Sequence, residues 1–238
     1  MKNDKNALKE LQHSLESLKG RLHVLETNVP VEKQMEYFRF SEAIRNVPFD
    51  EIALENQINV LESSESTFAE IKYALAYLAI SGDVKAFRSI ETYHEAHPDD
   101  WSSMAHVQAR ITLESEFSDE KQVFISTGLG GKGNRLRFFA FFKSKGGKNF
   151  SDYQKNLITK EVPYYIRSYK GIPEEIQIRD NYFTLLFLIH IQVDIKTMLE
   201  ESINECNQYG NFIDNGFIIT NVKVLTEEDI QNELMRKE

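Results

Sequence analysis

The sequence predicts an α+β protein with a helical N-terminal half and a C-terminal half of mixed strands and helices. Apolar residues recur at helical spacing up to about residue 117, and they alternate at strand spacing from about residue 121. Glycine and proline are scarce, with 11 and 5 in 238 residues, which argues against a turn-rich all-β chain. We therefore expect three parts, at residues 1–29, 30–118 and 119–238.

The first part is predicted to be one amphipathic helix with a leucine seam. Its leucines are spaced alternately three and four residues apart, the a/d pattern with which one helix faces another in a coiled coil. The helix should end before Pro30, because the residue before a proline avoids the α region. The seam either packs on its own domain or serves self-association or a partner helix. It consists of Leu8, Leu11, Leu15, Leu18, Leu22 and Leu25.

Residues 30–118 are predicted to form a run of helices joined by short connections. Thr67 followed three residues later by Glu70 is a capping box, and Gly82 with Asp83 suits the end of one helix and the start of the next. From Tyr77, an alanine, a large apolar residue and a proline follow after nine, four and eight residues, and a small residue precedes it by three. These residues are Ala74, Tyr77, Ala86, Ile90 and Pro98.

By this pattern, residues 67–101 resemble a tetratricopeptide-like helical repeat. Two positions differ, since Glu70 stands where tryptophan is preferred and Tyr93 stands where a small residue packs between helices. The resemblance implies a helical-hairpin scaffold that binds protein partners and carries no chemistry of its own. A plain helical bundle is the alternative.

The third part is predicted to contain five strands and three helices. From its second strand onward the order is β-α-β-β-α-β, which is that of a ferredoxin-like domain. The first strand then adds an extra hairpin strand to the sheet. The predicted elements are strands at 123–126, 135–143, 175–179, 182–193 and 216–225, and helices at 150–169, 194–207 and from 226 onward.

The predicted strand at 135–143 has one apolar face and one mixed face. The even positions from Leu136 to Phe142 are apolar and should face the core. The odd positions combine cations with Phe139 and Phe141, the composition of surfaces on which single-stranded RNA bases stack while cations meet phosphates. Alternatively, the helical half or a second subunit covers these two rings.

A glycine-rich segment precedes this strand. Gly128, Gly130 and Gly133 satisfy G-x-G-x-x-G, but a dinucleotide site needs a helix directly afterwards, and here a strand follows. Two interpretations remain. The segment is either a hairpin loop whose backbone amides bind an anion or a hairpin loop that contacts protein. The candidate anion- or nucleic-acid-binding residues are Gly128, Gly130, Gly131, Lys132, Gly133, Arg135, Arg137, Phe139, Phe141, Lys143, Lys145 and Lys148.

The net charge of −9 hides a strong pattern along the chain. Residues 121–170 contain 11 basic and two acidic residues, a block charge of +9. The flanking blocks, 1–120 and 171–238, carry −10 and −8. A basic block of this kind meets either a polyanion or its own acidic neighbours.

No catalytic or metal-binding motif is found in the sequence. His94, His97 and His106 lie near acidic residues but lack H-E-x-x-H spacing, so we expect no metal site and no cofactor. Cys206 follows Met198 and Leu199 on a predicted helix, which favours a buried structural thiol over a nucleophile.

The same sequence predicts the compartment and the class of function. A single cysteine favours a reducing compartment, and neither a signal peptide nor an apolar run near the ~20 residues of a membrane-spanning helix is seen, so we expect a cytoplasmic protein. An enzyme is less expected than a binding protein. The favoured hypothesis is a non-catalytic adaptor or regulatory protein that binds protein partners through its helical region and presents the basic hairpin. The alternative is an RNA- or ribosome-associated protein that uses the block at 121–170.

Overall fold

The computed structural model describes residues 21–119 and 122–236, and the chain forms two compact units. Within the described residues, one unit comprises residues 21–128 and the other comprises residues 129–236. The first is mainly helical, and the second combines helices with an antiparallel sheet. The α+β class predicted from the sequence is therefore confirmed.

The described part of the helical unit contains five helices, and four of them begin at a side-chain cap. Oxygen atoms of Asp50, Thr67, Asp83 and Asp99 accept hydrogen bonds from backbone N–H groups in the first turns of the second to fifth helices. The helices are α1 (Val31–Ile44), α2 (Glu51–Glu62), α3 (Phe68–Ala79), α4 (Val84–Ala96) and α5 (Asp100–Glu116).

Aromatic rings and one polar link fill the centre of the helical unit. Tyr37 of α1 is fully buried, and its ring meets Trp101 of α5 edge-on at a centroid distance of 5.1 Å. The Tyr37 hydroxyl donates to Oε1 of Gln108, which also accepts from the Ser41 hydroxyl. Buried hydroxyl groups need such partners, so this link ties α1 to α5 through polar atoms inside the core.

The helical unit also contains a small parallel sheet, which corrects two predictions. Strand β1 (Arg21–Val24) pairs with strand β2 (Gln122–Ile125). The helix predicted for residues 1–29 therefore does not reach residue 29, and the strand predicted near 123–126 lies in the helical unit instead of opening the α+β unit at 119. A local leucine pattern carries no information about a strand partner 101 residues away along the chain.

The leucine seam is only partly within the described residues. Leu22 lies in β1, and Leu25 is fully buried in the core of the helical unit. Neither position forms part of a helical stripe open to a partner. The other four leucines of the seam, Leu8, Leu11, Leu15 and Leu18, lie outside the described residues.

The α+β unit is built on one antiparallel sheet with the strand order β7–β4–β6–β5. The short strand β3 pairs with the start of β4, on the side of β4 that β7 also uses. The strand that forms a hairpin with β4 is thus β3, and the strand predicted at 123–126 does not pair with β4. The elements are β3 (Gly131–Lys132), β4 (Arg135–Ser144), a 3₁₀ turn (Lys145–Gly147), α6 (Asp152–Ser168), β5 (Ile172–Ile178), β6 (Tyr182–His190), α7 (Ile195–Asn207), β7 (Ile213–Thr220) and α8 (Glu227–Met235).

The inner face of this sheet consists of the even-numbered residues of β4 and the odd-numbered residues of β6. Phe142, Phe183 and Phe187 on this face are fully buried, and the rings of Phe142 and Phe183 stack at 4.5 Å. Helices α6 and α7 contact one another and the edge strands β5 and β7. Their buried apolar residues, such as Ile158 and Met198, complete this core. The apolar face predicted for the strand at 135–143 is therefore the core face.

The outer face consists of the odd-numbered residues of β4 and the even-numbered residues of β6. Strand pairing places Phe139 opposite Leu186, and Phe141 opposite Thr184. The short helix α8 lies over this face through Ile230, with Leu225 and Leu234 packed beside it. The inner face is thus covered by the two helices α6 and α7, whereas the outer face is covered by the short helix α8.

Candidate functional site

A groove of about 460 Å³ runs between α2 and α4 of the helical unit. Its apolar lining includes Ile58 and Leu61 from α2 and Tyr93 and Ala96 from α4. The polar part of the lining consists of Glu55, Glu62, Lys85, Arg88, Ser89, Thr92 and His97. An apolar floor with a charged rim is the usual composition of a peptide-binding groove.

The rim of the groove has opposite charges on its two walls. Glu55 and Glu62 lie on α2, whereas Lys85 and Arg88 lie on α4. One ion pair joins the walls, with 3.3 Å between Nζ of Lys85 and a carboxylate oxygen of Glu55. Because both side chains are well exposed, this pair contributes little to stability, and its charges remain accessible to a partner.

Four of the five residues that carry the repeat resemblance lie in the hairpin of α3 and α4, and the fifth, Pro98, follows α4 and is exposed. Ala74, Tyr77, Ala86 and Ile90 are all essentially buried, and Gly82 takes a φ of +71° in the connection. A left-handed conformation at a helix end favours glycine, as the sequence predicted. The hairpin therefore buries the residue types that the repeat pattern requires, and the α2–α4 groove lies beside it.

The glycine-rich segment forms a tight hairpin that is exposed only at its tip. Lys132 pairs with Arg135 across a two-residue turn, in which Gly133 has a φ of +59°. Positive φ at a central turn residue is typical of such hairpins. Gly128, Gly130 and Gly131 are buried, so the predicted contact of these glycines with an anion is not supported by their positions.

Side chains and carbonyl groups inside the α+β unit already engage most of the predicted cations on β4. The Arg137 guanidinium donates to both carboxylate oxygens of Glu174 and to the carbonyl of Leu129. This hydrogen bonding to Glu174 raises the pKa of Arg137. Nζ of Lys143 lies 3.6 Å from Asp214, and Arg135 donates to the carbonyl of Lys170. Much of the local positive charge is therefore neutralised within the unit.

Phe139 and Phe141 are not exposed, which corrects the expectation of an open stacking surface. They are 4% and 2% exposed and belong to a cluster with Leu129, Tyr182 and Ile230. Helix α8 of the same unit packs over them through Ile230. In the conformation described, these two rings cannot contact bases.

The second basic glycine loop lies at the far end of β4 from the hairpin. Lys145 and Lys148 are exposed, and Gly146 and Gly147 between them both have a φ of +68°. The ten residues of β4 separate this loop from Lys132. The structure therefore does not bring the two sets of predicted cations into one site.

The histidine cluster at the α4–α5 junction forms packing contacts. The ring of His106 stacks on Phe87 and on His94, and Nδ1 of His94 lies 2.9 Å from the Ser102 hydroxyl oxygen. Burial lowers the pKa of His106 to about 4, and the nearby charge of Arg110 adds to this effect. His106 is therefore neutral at pH 7, and the rings join α4 to α5.

Cys206 lies on the buried side of α7. Burial raises the pKa of its thiol to about 12, so a reactive thiolate is strongly disfavoured.

Across residues 21–119 and 122–236, no three His, Cys, Asp or Glu side chains come together in a group able to hold a metal ion. No helix in the described part of the chain combines the length and apolar character that a membrane crossing requires.

Sequence reasoning missed a polar pocket of about 130 Å³ beside α8. Arg179 of the β5–β6 connection, Tyr182 of β6 and Glu227 of α8 contribute to its lining. The capping box of Thr226 and Asp229 did predict a terminal helix, and α8 begins there. The apolar spacing of Ile230 and Leu234 was the available indication that this helix packs on another surface.

No protein-family model matches the sequence, and no curated protein matches it. A solved structure described as a putative transposase from Deinococcus radiodurans is similar over 42% of this chain and 88% of its own, with a TM-score of 0.37 and 14% identity.

Proposed function

We propose that this protein is a non-catalytic adaptor or regulatory protein whose helical unit binds a protein partner. The α2–α4 groove carries the proposal, because it combines an apolar floor with charged walls beside the buried core of the helical unit. The resemblance of residues 67–101 to a helical repeat favours the same class of function. A cytoplasmic location belongs to this proposal, and the lone buried Cys206 is consistent with a reducing compartment.

The charges of the groove define the chemistry of its partner. An amphipathic helix fits best, with apolar side chains directed toward Ile58, Leu61 and Tyr93. Its basic residues would face Glu55 and Glu62 on α2, and its acidic residues would face the α4 wall. This arrangement fixes the orientation of the partner, because reversing the helix would bring like charges together.

Two matched substitutions on α4 test the groove. Thr92 lines the groove and is exposed, so Thr92→Trp should fill it without disturbing the core. Glu95 is exposed on the same helix but does not line the groove, so Glu95→Trp is the control. Both variants and the wild type are expressed in the cells of origin and purified, and their partners are quantified by mass spectrometry.

A partner that uses the groove should be lost from Thr92→Trp and kept by Glu95→Trp. We expect a decrease of at least about tenfold, the size of one interface hot-spot contact. Equal recovery of every partner by all three proteins would contradict the groove as the binding site. Circular dichroism checks that both variants remain folded.

We also propose that residues 129–236 form a ferredoxin-like domain with an added hairpin strand. The strand order β7–β4–β6–β5, with α6 and α7 as the connections, supports this proposal.

Self-association through the leucine seam remains a prediction for Leu8 to Leu18. Binding of RNA by the basic block is the second candidate function, and the cations and aromatic rings of β4 on the outer face of the sheet favour it.

A further inference from the structure

Three aromatic rings share one cluster on the outer face of the sheet. Phe139 and Phe141 lie on β4, and Tyr182 lies on the neighbouring strand β6, with 5.6 Å between the ring centroids of Phe141 and Tyr182. All three are less than 10% exposed, because α8 and the segment before it lie over them. Adjoining rings on one sheet face are the kind of surface on which successive bases of a single strand stack.

The helix that covers these rings is held by few apolar contacts. Of the nine residues of α8, Ile230 is the one that is buried, while Leu234 and the preceding Leu225 are partly buried. Met235 at its end is 70% exposed. The pocket of about 130 Å³ between α8 and the strands shows that the cover does not fill the face. Such a weakly packed element opens more readily than the core layers of the same unit.

The covering helix is acidic, whereas strand β4 beneath it carries cations and no carboxylate. Four of the nine residues of α8 are carboxylates and none is basic: Glu227, Glu228, Asp229 and Glu233. Glu227 and Arg179 line the same pocket beneath the helix. The outer-face cations are Arg135, Arg137, Lys143 and Arg179, of which Arg137 is bound to Glu174 and Lys143 lies near Asp214. A negatively charged segment thus occupies the place that a phosphate chain would take over the rings.

We propose that α8 is a displaceable cover and that the face beneath it binds a single-stranded polynucleotide. In the open state, bases stack on Phe139, Phe141 and Tyr182, while phosphates approach Arg135 and Arg179. The carboxylates of α8 then move into solvent, which removes their repulsion of the incoming strand. This inference concerns the α+β unit alone and does not depend on the groove of the helical unit.

Two substitutions of equal charge on α8 test the proposal. Ile230→Glu removes the buried contact, whereas Gln231→Glu adds the same charge at an exposed position of the same helix. Binding of fluorescein-labelled oligouridine and oligothymidine is measured by anisotropy with the full chain at low salt. Ile230→Glu should bind at least tenfold more tightly than Gln231→Glu and the wild type, and its affinity should fall as salt rises.

The readouts separate a folding failure from a wrong proposal. Hydrogen exchange of Ile230→Glu should be faster in α8 and unchanged in α7, which shows that the cover has opened on a folded unit. Under those conditions, binding no tighter than that of Gln231→Glu overturns the proposal. Equal gains for oligonucleotide and for inorganic polyphosphate also overturn it, because polyphosphate has no bases to stack.

The wild-type protein supplies an independent test if Ile230→Glu does not fold. Saturating oligonucleotide should increase amide exchange in Glu227–Met235 at least tenfold and slow exchange across β4. Bound oligonucleotide that leaves the exchange of α8 unchanged contradicts displacement of the helix, and no binding at low salt contradicts the site itself. Preference between oligouridine and oligothymidine then distinguishes RNA from DNA as the source of the strand.

Discussion

The two faces of the sheet in the α+β unit are closed in different ways. The inner face lies beneath α6 and α7, and its rings Phe142 and Phe183 are fully buried and stack on each other. The outer face lies beneath the nine residues of α8, where one buried side chain and a residual pocket mark the contact. Both faces bury phenylalanine, so ring burial alone does not distinguish a permanent core from a covered surface.

The two faces differ in the type of residue that lies beside the rings. The inner face combines them with aliphatic residues, whereas the outer face combines them with Arg135, Arg137 and Lys143 on β4. Cations beside rings gain nothing for an apolar core, because charged groups are costly to bury. Arg137 and Lys143 are paired with Glu174 and Asp214 and remain partly exposed beside the rings, which is the arrangement that the proposed open face requires.

The largest expected loss of stability comes from removing one aromatic ring from the inner face of the sheet. Phe183→Ala should lower the free energy of unfolding of the α+β unit by about 3 to 5 kcal/mol, because it leaves a cavity that the packed layers cannot fill. The rate at which a thiol reagent labels the buried Cys206 in denaturant reports on this unit. A loss below about 1 kcal/mol would contradict tight closure of the inner face.

The next largest loss of stability should come from adding one methyl group at Gly171, close to Ile189 of the inner face. A Cβ on Gly171 would lie 2.7 Å from Cδ1 of Ile189 and 3.0 Å from the backbone oxygen of Ile166. We expect Gly171→Ala to cost about 2 to 3 kcal/mol, because Cγ2 of Ile166 would also lie at only 2.8 Å, so both the side chain and the backbone of Ile166 must shift. Gly216→Ala on β7 is the control, since its nearest neighbour would be at 3.6 Å. Similar costs for the two variants would show that steric closure is not the cause.

The helical unit provides a contrasting core that contains titratable rings. The pKa of His106 is lowered to about 4 in the folded protein, so the unfolded chain binds its proton more strongly. Stability should therefore fall as pH decreases from about 6.5 to about 4, by about 2 kcal/mol. Urea unfolding followed by the fluorescence of Trp101, which lies in this unit, measures the loss.

His106→Phe is the control for this pH dependence, because the ring can still stack on Phe87 but cannot take up a proton. The variant should show a smaller decrease in stability over the same pH range. An unchanged pH profile would mean that other groups carry the effect.

The smallest effect on stability should come from the cover. Ile230→Ala should lower the unfolding free energy of the α+β unit by about 1 kcal/mol, because α8 can detach without exposing the inner core. Labelling of Cys206 in denaturant measures this change in the same way as for Phe183→Ala. A loss as large as that of Phe183→Ala would make α8 part of the core and would remove the contrast between the faces.

The sequence predicted local features well and distant pairings poorly. The alternation from Arg135 to Lys143 correctly separates two faces, because side-chain direction along a strand is a local property. The same pattern says nothing of what covers the odd face, since Ile230 follows Phe141 by 89 residues. The terminal capping box of Thr226 and Asp229 predicted the helix itself, but its docking depends on the assembled sheet.

Two errors have the same physical origin. Leu22 and Leu25 continue the heptad spacing, yet β1 forms because β2 offers a parallel partner far along the chain. Gly128 and Gly130 look like an open anion-binding loop, yet they are buried in the assembled chain. In both cases a tertiary contact overrides a local preference, and a local pattern cannot report such a contact.

Hydrogen exchange of the full-length wild-type protein tests the contrast between the two faces most directly. The amides of α8 should exchange at least about tenfold faster than those of α7, through an opening that leaves α7 protected. This result would show that the outer face is uncovered while the inner face stays closed. Equal protection of α8 and α7, lost together on unfolding, would contradict a displaceable cover.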